Sequence, residues 1–346
     1  MKKIISAIIC ATLFSVSNAQ VNSPKDLYLT KPLKDASLKK ITAETSHGNI
    51  NVSVVPATDA RLEVYVRPNN NDEQLSKEEI QKKLDEYYSI EISISGDLLS
   101  AVARRKKDIL NGQTSLNISF QIYTTKSVAT QLKTSHGNVD VSGMEGTQDI
   151  VTSHGNIHLE EITGKLTGQT SHGNIYVTNV KDNIDLSTDH GNIEANHCEG
   201  TVKLTTSNGN LQLEKLKGKI KASTDHGNIA GHVIDGELSA STSHGDVSLE
   251  NLSCSVDAST DHGNMFVAVD KITGDIIVND SGGNISIELP KGKGIDLDLS
   301  GKSVDIDYME NFSGSKEKDS IKGTLGGGGT KVKAKTDRGS VSLKFN

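Results

Sequence analysis

Apolar and polar residues alternate along most of this chain in short runs, the period-two pattern of β-strands, and the runs return every 18 residues. The marker of the period is a phrase, Thr-Ser/Asp-His-Gly-Asn/Asp-Ile/Val, first repeated in series from Thr134. With its Gly as the first position of a rung, the third position is aliphatic: Val139, Ile157, Ile175, Ile193, Leu211, Ile229, Val247, Met265. The eighth is apolar as well, from Met144 and Ile162 to Cys198 and Leu252. The twelfth and fourteenth alternate with polar neighbours, as in Ile184 and Leu186 or Val202 and Leu204. The tenth is mostly Gly (Gly146, Gly164, Gly200, Gly218, Gly236), which predicts a corner of positive φ. A strict period with strand alternation and no helical pattern inside it predicts an all-β fold, a parallel β-solenoid (β-helix) with 18-residue rungs. The uneven apolar spacing favours a right-handed or flattened solenoid over a left-handed hexapeptide helix.

Outside the regular array the pattern changes. A lone copy of the phrase, Thr45 to Ile50, lies in a strand pair read over Ile41 to Val55. Ser76 and Glu79 then make a capping box, followed by Ile80, Leu84, Tyr87 and Tyr88 at helical spacing. Strands are predicted at Ser89 to Ile94 and Leu116 to Tyr123, on either side of a basic turn, Arg104 to Lys107. A solenoid end exposes unpaired backbone, so this insertion is read as its cover. Near the other end, two extra residues between Gly263 and Gly283 predict a bulge at Ala268 to Asp270, and a last strand is read over Val332 to Phe345. The division is then 1–19 signal peptide, 20–40 leader, 41–133 first rung plus N-terminal cap with one short helix at 77–88, 134–282 regular repeats, and 283–346 irregular C-terminal rungs and end cap.

The signal peptide rests on Lys2 and Lys3, the apolar Ile4 to Val16, and the small-residue site Ser17-Asn18-Ala19 before Gln20. No later stretch is long and apolar enough to be a transmembrane segment. The expected address is therefore export, to the periplasm, cell surface or extracellular space. Removing Lys2 and Lys3 leaves 35 basic against 44 acidic residues, a net charge of −9, which argues against nucleic acid as a partner. Cys10 leaves with the signal peptide. Cys198 and Cys254 fall three rungs apart, about 14 Å at about 4.8 Å per rung, too far for a disulfide.

The repeated Thr-Ser-x-Gly-Asn/Asp-Ile rungs, an N-terminal strand region, and a Gly-rich segment (Gly326 to Gly329) before a terminal Thr336-Asp337-Arg338-Gly339-Ser340-Val341 strand resemble the bacterial putative-adhesin family of β-strand-repeat envelope proteins, a family of unknown function. The likeness runs from Lys39 to Asn346. It implies the fold and the envelope address. The His in nearly every rung and the helical insertion depart from the general pattern of that family.

Three columns of repeated residues invite a chemical reading. The Asn/Asp column after the Gly is expected to stabilise the corner from rung to rung. The Thr column, Thr134 to Thr260, is expected to satisfy its own hydroxyls by stacking. The third column is His136, His154, His172, His190, His226, His244 and His262, interrupted by Asn208 into runs of four and three. Strand alternation predicts that it faces inward, with imidazoles about 4.8 Å apart. Paired charges at that distance cost roughly 3.5 kcal/mol at an effective dielectric of 20, so a mostly neutral stack is expected at pH 7. The alternative for the same seven residues is a metal site, Zn²⁺ or Cu²⁺, with Asp189, Asp225 and Asp261 beside it. Otherwise no cofactor is implied. An enzyme is not expected: the Ser-x-His spacing is the repeat itself, and the outward fourth positions form no carboxylate cluster. A glycan-active β-helix enzyme is the weakest reading. The main expectation is an exported, non-catalytic, adhesin-like rod whose partner is a surface glycan or a protein.

Overall fold

The computed structural model describes residues 26–33, 37–69, 75–107 and 115–346. The signal-peptide reading of residues 1–19, with Cys10, lies outside the described residues. The described chain is all-β, its strands joined in one continuous hydrogen-bonded sheet that does not close into a barrel, with one α-helix.

A rung is two strands around a corner. Gln148–Val151 pairs in parallel with Ala129–Thr134 on one side and Leu166–Thr170 on the other. After the corner, Ile157–Glu160 pairs in parallel with Val139–Ser142 and Ile175–Thr178. Every partner in these ladders is 18 residues away, so like residues stack on like. The alternating aliphatics of both strands point between the two stacks and form one core along the array. From Leu211 the two strands of a rung merge into long ones, Leu211–Thr224, Ile229–Thr242 and Val247–Thr260. Gly146, Gly164, Gly200, Gly218 and Gly236 hold φ between 113° and 123°, as the tenth-position corner requires.

A further corner was not legible. Glu161, Asn179, His197, Lys215, Val233 and Asn251, one per rung at the seventh position, all take left-handed φ of 53–58°. Asn179, His197 and Asn251 are types that tolerate this conformation and Gly143 holds the same position at φ 75°, but Glu161, Lys215 and Val233 break the signal in the column.

The ends differ from the reading in several places. The helix is Lys77–Tyr87, opened by the expected Ser76–Glu79 capping box, and Tyr88 begins the next strand. The expected leader, 20–40, contains a strand, Leu27–Pro32, antiparallel to Arg61–Pro68. Between Ser95 and Leu116, where a basic turn is expected, lies a further strand, Leu98–Arg105, which forms an antiparallel hairpin with Tyr88–Ser95. Arg104 and Arg105 therefore end a strand rather than opening a turn, and Arg104 pairs with Glu44 at 3.2 Å. Near the far end the register shifts between Val267 and Val269, at the start of the expected Ala268 to Asp270, and the extra residues extend on to Ile276. The last strand is two, Thr330–Thr336 and Ser340–Phe345, because the final corner divides it.

Chain order and stacking order also part company at both ends. Lys40–Thr45 and Ile50–Val54 lie between the rung of Ala129–Thr134 and an outer pair, Leu98–Arg105 and Leu116–Thr124. At the other end, Thr330–Thr336 and Ser340–Phe345 lie between Ile276–Asp280 with Ile285–Leu289 and the outer pair Ile295–Ser300 with Ser303–Ile306. Antiparallel strands finish each stack, among them Arg61–Pro68 and Ser320–Leu325.

Candidate functional site

The repeated phrase builds the corner of each rung, and each of its residues has one task. The Thr side chain is buried, 1–6% exposed from Thr134 to Thr260. Its hydroxyl does not bond its neighbours in the column, as the sequence reading had it. Thr152 Oγ1 donates to the carbonyl of Gly137 at 3.0 Å, and Thr170 and Thr188 donate likewise to Gly155 and Gly173. The acceptor is the corner carbonyl of the preceding rung, and the bond satisfies that backbone group.

The Gly at the corner is required by close approach. A Cβ on Gly155, Gly173 or Gly191 would stand 1.8 Å from the Gly carbonyl oxygen one rung earlier, and the same holds within 1.7–2.0 Å from Gly137 to Gly339. The Asn after it carries the corner from rung to rung, as expected. The side-chain carbonyl of Asn138 accepts the backbone N–H of Asn156 at 2.9 Å, and the chain of such bonds continues through Asn174, Asn192, Asn210 and Asn228 to Asp246.

Between Thr and Gly sits the His, and here the expectation fails. The imidazoles face outward: His136, His154, His172, His190, His226, His244 and His262 are all exposed. Strand alternation stops at the Thr because the chain bends there, so the buried Thr and the buried corner carbonyl leave Ser and His on the outer edge. The rings stack face to face. Centroids of His136 and His154 are 4.6 Å apart with planes at 1°, and those of His154 and His172 are 4.8 Å apart at 1°. The second run, His226, His244 and His262, stacks at 4.8 and 5.0 Å. The backbone fixes the spacing: each His N–H donates to the carbonyl of the residue before the preceding column member, as His154 does to Ser135.

His47, not foreseen in the column, stacks on His136 at 4.6 Å across 89 residues of sequence. The first run thus holds five rings rather than four. Burial first, then the His136 ring and the Arg105 guanidinium, holds the His47 pKa below its ordinary value. Register places Arg105 next in line beyond His47, two residues past Ala103, which pairs with Thr45. Beyond His262 the line passes Gly282 and ends on Arg338, whose Nε donates to the Ser281 carbonyl at 3.4 Å.

As stacked, neighbouring rings do not converge on a shared ion. Two bonds of 2.0–2.1 Å to one metal require the nitrogens within about 4.2 Å. The rings repeat at 4.6–5.0 Å with parallel planes, so their in-plane lone pairs run side by side. Among the described residues no three His, Cys, Asp or Glu side chains are grouped to hold a metal. Asp189, Asp225 and Asp261 are exposed beside the column. Cys198 and Cys254 are free and buried, and desolvation pushes their thiols up to about 11 and about 12.

The corner phrase and its parallel register persist to the final strands. Residues 202–344 match the Toastrack DUF4097 family model. The resemblance to a bacterial adhesin-like family of unknown function, read from the rungs, is borne out. The matched segment contains the second His run and Arg338, and the first run precedes it. Two solved structures are similar to the chain. One is described as a putative cell adhesion protein from Clostridium sporogenes ATCC 15579, at 9% identity and TM-score 0.18 over 92% of this chain and 98% of that one. The other is described as a putative adhesin from Bacteroides fragilis NCTC 9343, at 15% identity and TM-score 0.26 over 94% and 99%. No curated protein matches the chain. No helix among the described residues is long and apolar enough to cross a membrane.

Proposed function

We propose that this protein is an exported, non-catalytic rod of the cell envelope or surface, whose outer edge and faces bind a surface glycan or a protein. The observation that carries the reading is the 18-residue parallel register, which repeats the same exposed side chain at one-rung intervals along a rigid edge. Such a row offers a partner many equivalent, weak contacts at fixed spacing, and linked contacts gain strength through effective concentration. The Toastrack match supports the family and leaves the partner open. The reading joins the export signal of residues 1–19 to an architecture built of repeats.

The test is fractionation and external protease treatment of cells producing the tagged full chain, followed by binding of the purified chain to arrayed glycans and matrix proteins. Cleavage of the leader, surface or periplasmic recovery and saturable binding are expected. Retention in the cytoplasm with the leader uncleaved, or catalytic turnover of a bound glycan, would sink the proposal.

A further inference from the structure

The corner edge is not uniform along its length. In the half nearer the N-terminal end, the line runs Arg105, His47, His136, His154, His172, and the residue before each of these His is Ser. In the other half, Asp189, Asp225, Asp261 and Asp337 precede column members. The first half therefore offers donors and cation without adjacent acid, in a chain whose net charge is −7. The charged groups on the strands beside it are Lys40, Glu44, Arg104, Lys133, Asp140, Asp149 and Glu160, of which Asp149 accepts from the Thr167 hydroxyl at 2.9 Å. Glu44 is engaged by Arg104, and Asp140 lies 2.9 Å from His158 Nδ1.

Stacking occupies the faces of the rings and leaves their in-plane N–H groups aimed edgewise. A neutral imidazole has one such donor and an imidazolium two, so the row donates in either protonation state. Rings repeat at 4.6–4.8 Å between His47 and His172, one donor edge per rung. An extended polysaccharide advances by about one strand spacing per pyranose ring. Nucleic acid is more densely charged, at one phosphate per about 3.4 Å of strand. We propose that the edge from Arg105 to His172 is a binding track for a linear anionic polysaccharide bearing one carboxylate or sulfate per sugar. Successive sugars of an extended chain are turned about its axis, so alternate anionic groups face the edge and meet every second ring, while Arg105 anchors the end of the polymer with a forked, permanent cation. The inference rests on the surface-rod reading and names the class of its partner.

The experiment is fluorescence anisotropy of labelled polygalacturonate, which carries carboxylates, and labelled dextran sulfate, with neutral dextran and single-stranded DNA as comparators. The full chain is compared with a quadruple variant, Arg105→Gln with His47→Asn, His136→Asn and His154→Asn. A second variant carries His226→Asn, His244→Asn and His262→Asn. Asn copies Asn208, which the column already accommodates. Arg105→Gln alone serves if the quadruple variant melts early. At least about tenfold weaker binding is expected for the first variant and less than about twofold for the second, with affinity falling as salt rises from about 50 to 200 mM. Preference between the two polymers assigns the anion as carboxylate or sulfate. Equal losses in both variants, or DNA bound as tightly as either polymer, overturn the track. Failure to bind either anionic polymer, while the chain still binds arrayed neutral glycans or proteins, overturns the track and leaves the surface-rod reading standing.

Discussion

At the scale of single residues, the corner Gly and the tenth-position Gly look alike in sequence and differ in what they prevent. Gly155 has no room, because a Cβ would meet the Gly137 carbonyl oxygen at 1.8 Å. Gly146 has open space around it but a φ of 113°. Gly155→Ala is thus expected to cost about 4 kcal/mol or more, since backbone must shift. Gly146→Ala is expected to cost about 1–3 kcal/mol of conformational strain. Denaturant melts of the two variants check the order, and equal costs would show that the stack yields at the corner. His47 supplies the second residue-scale prediction. Its pKa is lowered from 6.5 in the fold by burial, the His136 ring and Arg105, so the unfolded chain takes up its proton first as pH falls. The stability linked to this group is complete above about pH 6.5 and is lost as pH falls through the folded value. Melting temperatures measured from pH 7.5 to 5 should decline, and His47→Asn should flatten the decline.

At the scale of the element, the corner is a hydrogen-bonded unit shared by two rungs. Thr188 is 3% exposed and its hydroxyl donates to the Gly173 carbonyl at 2.9 Å. Thr188→Val keeps shape and strands that carbonyl, at an expected cost of about 1–2 kcal/mol. Ser187→Ala, on the outer side of the same strand, should stay within about 0.5 kcal/mol. Chemical denaturation of the pair distinguishes them. The elements were legible where local pattern sets them. The aliphatic columns, the positive-φ Gly corner, the Asn ladder and the Ser76–Glu79 helix start could all be read from spacing. The outward turn of the His column could not, because it depends on the bend after Thr, which breaks the alternation used to read it. The Leu98–Arg105 strand has a local partner, the hairpin arm Tyr88–Ser95 turned at Gly96-Asp97, and was hidden instead by the basic residues Arg104 and Arg105 at its end, which suggest a solvated turn. His47 has no local signal: only a register of 89 residues sets it on His136.

At the scale of the whole molecule, the array needs its ends finished, since a bare rung presents unpaired N–H and carbonyl groups. Deleting residues 326–346 removes the rung that lies between Ile276–Leu289 and the outer pair Ile295–Ile306. Limited proteolysis of that truncation should open cleavage between 290 and 325 while leaving 130–270 protected. Protection across 290–325 would mean that the outer pair can dock one rung early.

The same arrangement gives the two ends of the rod different histories. Near the N-terminal end, the inner rung at Lys40–Val54 emerges from the ribosome first, and the later strands add to its two sides in turn. Near the other end the order is reversed: residues 295–306 are synthesised before residues 330–345, beside which they must finally lie. For that interval the outer strands have been made and their place has not. The N-terminal end can be laid down as it appears, whereas the far end is closed by its most recently made strands, slid in between two that are already waiting.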